Sequence, residues 1–385
     1  MLKVIELIPT MSTGGAEAMV KDYALLLDKE KIKVSVVVLD HHYASENERI
    51  LEQNGIETLY LGAVLYGDRE NLNLFQKVRR NLSRYYYFRQ YVLKEKPDII
   101  HIHLRIGSYM KALPLKRLNV RLIYTVHNVI ENYFSKDPAK KDKYKEYLEA
   151  DRLIRNYDMT LVALHDEMNR QLRDFFHTER VVTVNNGIRM EQFHRELYDR
   201  QAVRGMLGVG EDEFLVGHVG RLHRQKNHDM ILEVFEELLR EKPKAKLLLV
   251  GKGERRQEIL DMIQRKNLQD KVILLENRGD VPQLMSAMDV FLFPSNWEGY
   301  GNVLLEAQSM GLRCVISDQV PRGVCLTDQV IVRKLTDSPE EWVRAMLDAS
   351  ICGQPVGTLE SHDMKNCIRQ LEALYLQQED EKLKK

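Results

Sequence analysis

The sequence predicts two doubly wound α/β domains, each a parallel sheet between layers of helix. Three observations carry this prediction. Short β-branched and apolar runs alternate with helical periods along the whole 385-residue chain. Most of those runs are continuously apolar, as strands buried on both faces require. They are also too numerous for one sheet, so the chain divides.

In the first half the candidate strands are 4–8, 34–39, 99–103, 122–126, 161–163 and 181–184. In the second half they are 215–219, 246–250, 272–275, 290–293, 314–316 and 330–332. After the first strand, Met19, Tyr23, Leu26 and Leu27 fall on one helical face. Ile231, Val234, Phe235, Leu238 and Leu239 do the same after 215–219. Strand character lapses between Asn185 and Gly210, and a fresh β-α unit opens at Phe214. The division is residues 1–190 and 191–363, with a helix at 364–385 that packs back on the first domain.

Composition narrows the function classes. The 57 Lys and Arg balance 57 Asp and Glu, so no global field favours nucleic acid and any anion site is local. No apolar run reaches the ~18 residues of a membrane span. The opening MLKVIELIPT lacks a small-residue cleavage site and reads as a strand. The expected location is therefore the cytoplasm. Cys314, Cys325, Cys352 and Cys367 show no metal-ligand spacing and read as reduced thiols.

The strongest chemical signal is PSNWEGYGNVLLEAQSMG, from Pro294 to Gly311, directly after the strand 290–293. Ligands of open α/β sheets bind beyond strand C-termini, where Glu298 falls. Gly299 and Gly301 permit close backbone approach, and Tyr300 lies between them. A helix opening near Asn302 offers free N–H groups to a phosphate or a sugar oxygen. Glu306, one turn in, has two acceptor oxygens suited to a vicinal diol. The competing reading is a capped surface helix with two solvated glutamates.

The second signal is Gly220 to His228, after the strand 215–219. Arg221 and Lys226 place two cations on a strand-end loop, an arrangement suited to a diphosphate. Two weaker signals follow other strands. Around Gly253 a glycine-rich turn serves either structure or a ligand. From Glu276 to Pro282, Arg278 and the backbone at Val281 suit a nucleobase or a plain turn equally. In the first half, Gly14 and Gly15 leave backbone open to a phosphate, without a dinucleotide fingerprint. His127 ends a strand; structural and ligand-facing roles stay open for it. His101 and His103 read as structural or cleft-lining, and no metal partner is evident. No Asp-x-Asp, HExxH, GxSxG or P-loop occurs.

At these residues the chain resembles the retaining glycosyltransferases of family 4, which have the two-domain GT-B fold. The most specific elements are Glu298 with Glu306, Gly220 to Asn227, and the linker start Asn185-Asn186-Gly187-Ile188. Gly14 to Glu17, Pro97 to His103 and Thr125 to Asn128 support it, and Ile316 to Pro321 is similar to members that build bacterial surface polysaccharides. The resemblance implies two Rossmann-like domains facing a cleft. It implies that Arg221 and Lys226 bind the diphosphate of a nucleotide-sugar donor, that Glu306 holds the ribose and that Glu298 holds the transferred sugar. Amides of Gly299 to Asn302 would contact phosphate or sugar, Gly15 would approach the diphosphate from the other domain, and His127 would touch the sugar. Arg189 stands where the family often has Asp, and Glu276 where it often has Gly, which puts base contacts near Arg278 in doubt.

The expected reaction is sugar transfer with retention to a glycan or lipid-linked acceptor, with no cofactor and no metal. A silent nucleotide-sugar binder and an epimerase or phosphorylase of the same fold are the alternatives. The segment 75–96 carries seven Lys or Arg against Glu95 alone. On a helix, Val78, Leu82, Tyr85 and Tyr86 are expected to face inward while Arg80, Arg84 and Arg89 reach an anionic membrane surface. A solvated basic helix is the other reading.

Overall fold

The computed structural model describes the chain except residues 13, 41–43, 66, 68–71, 277 and 378–385. The last of these belong to the expected helix at 364–385 and lie outside the described residues. The chain divides into two compact units, residues 1–186 with 365–385, and 187–364.

The first unit holds β1 (Leu2–Ile8), β2 (Ile32–Val38), β3 (Glu57–Tyr60), β4 (Ile99–His103), β5 (Arg121–Thr125), β6 (Thr160–Ala163) and β7 (Val181–Thr183). Their order is β3-β2-β1-β4-β5-β6-β7, and all pairs are parallel. The order reverses between β1 and β4, which makes their C-terminal ends the switch point of the sheet. β3 escapes sequence reasoning because ETLY is short and only half-buried at the sheet edge, so it needs no apolar run. On the helix Gly15–Leu26, Met19 and Tyr23 are buried as expected, but Leu26 is exposed.

The helix Leu74–Glu95 opens with a reciprocal capping box between Asn73 and Gln76. Its orientation corrects the sequence expectation. Val78, Leu82 and Tyr86 are exposed at 51%, 66% and 59%, and Phe88 and Val92 are the buried residues. Arg84 turns inward to Asp40 at 2.9 Å, and Arg89 donates to the Ala112 carbonyl at 2.8 Å. Positions 78, 82 and 86 form one helical face as regularly as 85, 88 and 92 do. Packing against the unit, and not spacing, decided which face went in. No helix among the described residues is long and apolar enough to cross a membrane.

The second unit holds β8 (Leu215–Val219), β9 (Lys246–Val250), β10 (Val272–Leu275), β11 (Val290–Phe293), β12 (Arg313–Ser317) and β13 (Val330–Arg333). The order β10-β9-β8-β11-β12-β13 is again parallel throughout, with its switch point between β8 and β11. The helix His228–Glu241 buries Ile231, Val234, Phe235 and Leu238 on this sheet, each side chain stabilising the unit by about 1.5–3 kcal/mol. The loops after β8 and β11 therefore leave adjacent strands on the same edge. Cys314, Cys325 and Cys367 are buried, and none of the four cysteines forms a disulfide.

Candidate functional site

In the second unit the two strongest sequence motifs follow the two strands of the switch point. The loop after β8 runs from Gly220 to Asn227, and the loop after β11 from Pro294 to Gly301. They are joined by several bonds. Asn296 donates from its amide to the Gln225 carbonyl at 2.8 Å and from its side chain to the Arg224 carbonyl at 2.7 Å. Gln225 in turn donates from Nε2 to the Trp297 carbonyl at 3.0 Å and to Glu298 Oε2 at 3.1 Å.

Lys226 and Glu298 meet at the centre of this seam. Lys226 Nζ lies 2.7 Å from Glu298 Oε1, with both side chains largely buried, and 4.5 Å above the Phe293 ring. Such a pair persists at low dielectric because the remaining carboxylate oxygen is also satisfied, here by Gln225. Arg221 is exposed, and no hydrogen bond or ion pair engages its guanidinium among the described residues. Of the two cations the sequence singled out, Lys226 is thus tethered and Arg221 is not.

Glu306 lies on the helix Asn302–Ser309, which starts at Gly301 with φ of +90°. Glycine adopts that conformation without strain, and it turns the chain sharply from strand to helix. The Glu306 carboxylate has no protein partner among the described residues. Burial raises its pKa from the usual carboxylate value to about 7. An acceptor held this way lacks only donors. Asn302 is partly exposed at the first helical turn, and Gly299 is buried beside Glu298.

The other predicted residues divide. Tyr300 turns its side chain away into the unit, where its hydroxyl donates to the Gly323 carbonyl at 3.1 Å and lies 3.0 Å from His362 Nε2. Only its backbone remains for a ligand. Gly220 donates from its amide to the Val250 carbonyl at 2.9 Å. A Cβ on Gly253 would come within 2.3 Å of the Leu222 carbonyl oxygen, so close backbone packing by itself explains that glycine. Arg278 forks onto Asp280, with Nε 2.7 Å from Oδ1, and Val281 opens the helix Val281–Ala287. Gln225 is the member sequence reasoning missed. It sits between two residues that were singled out, yet its role depends on a partner 73 positions away.

In the first unit, Gly15 is the exposed first residue of its helix. His127 lies just beyond β5, partly exposed, with Nε2 2.9 Å from His103 Nδ1. Behind it lies a buried polar chain. His103 Nε2 is 2.6 Å from Glu6 Oε2, and Tyr375 donates to Glu6 Oε1 at 2.8 Å. His101 Nδ1 is 2.5 Å from the Tyr375 hydroxyl, and its Nε2 is 2.7 Å from Thr125. Burial raises Glu6 to about 8 and lowers His103 to about 3, so both prefer their neutral forms. His101 and His127 are likewise held well below the usual imidazole range, mainly by burial. Glu6, His101 and His103 bring ligand-type atoms within 4.8 Å of one another. Every imidazole nitrogen of that group already has a protein partner.

Two family models together account for most of the chain. One, described as Glycosyltransferase Family 4, matches residues 13–192. The other, described as Glycosyl transferases group 1, matches residues 199–352. The chain is similar to the putative glycosyltransferase EpsF of Bacillus subtilis (strain 168), 27% identical over 358 residues that cover 92% of this chain and 89% of that protein. It is 28% identical over 261 residues, 64% of each chain, to the Escherichia coli UDP-Gal:alpha-D-GlcNAc-diphosphoundecaprenol alpha-1,3-galactosyltransferase. Among solved structures, Anabaena HepE in complex with UDP and glucose matches with a TM-score of 0.71 at 19% identity over 100% of both chains. WaaG, a glycosyltransferase involved in lipopolysaccharide biosynthesis, matches with a TM-score of 0.67 at 18% identity over 97% of each. These structural likenesses show the fold, which is GT-B.

Proposed function

The chain belongs to glycosyltransferase family 4, and from that premise we propose that it moves a hexosyl or N-acetylhexosaminyl group, with retention, from a UDP-sugar to a glycan or lipid-linked acceptor of cell-surface polysaccharide. The observation that carries the reading is the group at the β8/β11 switch point: the Lys226–Glu298 pair, the untethered Arg221 and the unpartnered carboxylate of Glu306. The UDP complex of HepE and the diphosphoundecaprenol acceptor named for the E. coli relative support the choice of donor and acceptor class.

In this reading Arg221 and Lys226 hold the donor diphosphate. The amides from Gly299 to Asn302 complete the anion contacts. In the second unit Glu306 accepts from the ribose hydroxyls and Glu298 contacts the transferred sugar; in the first unit His127 is the sugar contact that the family resemblance implies. The bond from sugar C1 to the diphosphate oxygen breaks as positive charge builds on the sugar. The new bond forms from C1 to an acceptor hydroxyl oxygen, whose proton passes to the departing diphosphate. Cations preorganised at the leaving group are worth about 3 kcal/mol each. They serve in place of a metal ion, so turnover is independent of divalent metal.

The exposed face of the helix Leu74–Glu95 is the proposed peripheral membrane contact. Its apolar residues Phe75, Val78, Leu82 and Tyr86 insert, while Lys77 and Arg79 meet anionic headgroups.

The test is turnover of a panel of UDP-hexoses and UDP-N-acetylhexosamines with lipid-linked diphosphate acceptors, with and without excess chelator. Acceptor-dependent release of UDP and an axial product linkage from an axial donor are expected. UDP-sugar consumption without an acceptor, or product of inverted configuration, overturns the reading. Activity lost to chelator and restored only by added metal overturns metal independence.

A further inference from the structure

The chain from Glu6 through His103 to His127 does more than fill the interior of the first unit. His103 is fully buried and spends both ring nitrogens on it, one at 2.6 Å from Glu6 and one at 2.9 Å from His127. A neutral imidazole has one donor nitrogen and one acceptor nitrogen, so whatever Glu6 asks of one end determines what His103 offers at the other. His127 receives that demand at Nε2. Its Nδ1 has no partner among the described residues, and its ring is partly exposed.

We propose that Glu6 and His103 are positioning residues for His127: Glu6, as a carboxylic acid, donates to His103 Nε2, His103 donates from Nδ1 to His127 Nε2, and His127 is left with its proton on Nδ1, facing outward as a hydrogen-bond donor. This rests on the reading of His127 as a sugar contact. A donor suits a sugar hydroxyl or ring oxygen, and the opposite tautomer would present a lone pair there.

The surroundings favour this direction of the chain. Glu6 accepts at its other oxygen from Tyr375, whose own oxygen is occupied by His101 Nδ1. Among the described residues no Lys or Arg bonds to Glu6, and Arg121, which acts on Tyr375, is engaged by the Leu374 and Tyr375 carbonyls. The titratable groups nearest it are His101 and His103 from β4, Tyr375 from the helix Met364–Leu376 and Tyr23 from the helix Gly15–Leu26, with Asp22 and Cys367 beside Tyr23 and His127 beside His103. An ionised Glu6 would therefore sit without a positive partner. Its raised value of about 8 agrees with a proton retained at neutral pH.

Glu6→Gln separates the two directions. Its amide copies the protonated acid, accepting from Tyr375 and donating to His103 Nε2. It cannot copy a carboxylate, which accepts at both oxygens. Imidazole nitrogen resonances, assigned for His127 by comparison with His127→Gln, read the tautomer directly. At pH 7 wild type and Glu6→Gln are expected to carry the His127 proton on Nδ1. Above about pH 8 wild type alone is expected to switch to Nε2–H, as Glu6 ionises and the chain reverses. kcat/KM for the UDP-sugar should stay within about threefold in Glu6→Gln and fall about tenfold in Glu6→Leu, the equivalent of one lost hydrogen bond. A His127 proton on Nε2 in wild type at pH 7, or a tautomer that differs between wild type and Glu6→Gln there, overturns the proposal. Unchanged turnover in His127→Ala overturns instead the sugar-contact reading, which the resonances do not depend on.

Discussion

Lys226 Nζ lies 2.7 Å from Glu298 Oε1, although 72 residues separate the two in sequence. Their loops leave neighbouring strands, β8 and β11, so the sheet itself brings the ammonium to the carboxylate. The same side chain is thus a strut between two loops and a proposed phosphate ligand.

This pairing predicts that Lys226→Ala loses stability as well as turnover. Removing the ammonium leaves a largely buried carboxylate with Gln225 as its remaining partner, which costs about 2–3 kcal/mol. Urea unfolding should show this loss, and the double variant Lys226→Ala/Glu298→Gln should recover part of it. A single variant as stable as wild type would remove the strut from the account.

Arg221 gives the contrasting case. It is exposed and without a protein partner among the described residues. Arg221→Ala should leave the unfolding free energy within about 0.5 kcal/mol of wild type. Calorimetry with UDP should nevertheless show weakened binding, and Arg221→Lys should restore it only in part, because a point charge does not replace a planar fork. Undiminished UDP affinity in both variants refutes the diphosphate assignment.

Glu306 ties donor binding to pH. Its carboxyl titrates at about 7 in the free protein, and it must be ionised to accept from two ribose hydroxyls. Affinity for an intact UDP-sugar, whose diphosphate does not titrate in this range, should therefore fall as pH drops below about 7. Glu306→Gln should bind more weakly at pH 8 and show no such slope. Glu298→Gln should impair binding of the UDP-sugar more than binding of UDP. A flat wild-type profile across pH 6–8 would count against the ribose role.

Stability against pH follows from the buried chain of the first unit. Glu6 moves from an ordinary 4.5 to about 8 on folding, so between those values the folded protein holds a proton that the unfolded chain has lost. Its contribution is fully present below about pH 4.5 and is lost as pH rises to about 8. His103, lowered to about 3, acts oppositely, and its contribution is lost as pH falls from 6.5. Between pH 7 and 8 the Glu6 slope stands clear of His103 and exceeds that of Glu306, which is common to wild type and variant. Denaturation in that window should show wild-type stability declining more steeply than that of Glu6→Gln. Parallel slopes would mean that Glu6 is already ionised.

The exposed face of the helix Leu74–Glu95 predicts vesicle binding that requires apolar residues as well as charge. Val78→Ser/Leu82→Ser/Tyr86→Ser should leave folding intact, because all three side chains are already exposed. Co-sedimentation with anionic vesicles should drop in this variant and also at high salt. Equal partition of wild type and variant would end the membrane reading.

Sequence alone determined the parallel sheets, because a strand buried on both faces must be apolar throughout and that pattern is local. It also determined the strand-end position of Arg221, Lys226, Glu298 and Glu306, since each motif directly follows or lies one turn beyond its strand. The edge strand β3 was not legible, having too little buried surface to need a pattern. Nor was the inward face of the helix Leu74–Glu95, where two equally regular faces competed and packing chose. Tertiary structure alone decided the bonds of Lys226 with Glu298, Gln225 with Glu298, and Tyr375 with Glu6, the last across 369 positions. A backbone pattern is written in neighbouring residues. A buried polar group takes whatever partner the finished fold brings within reach, and one left without, like Glu306, is pushed towards its neutral form.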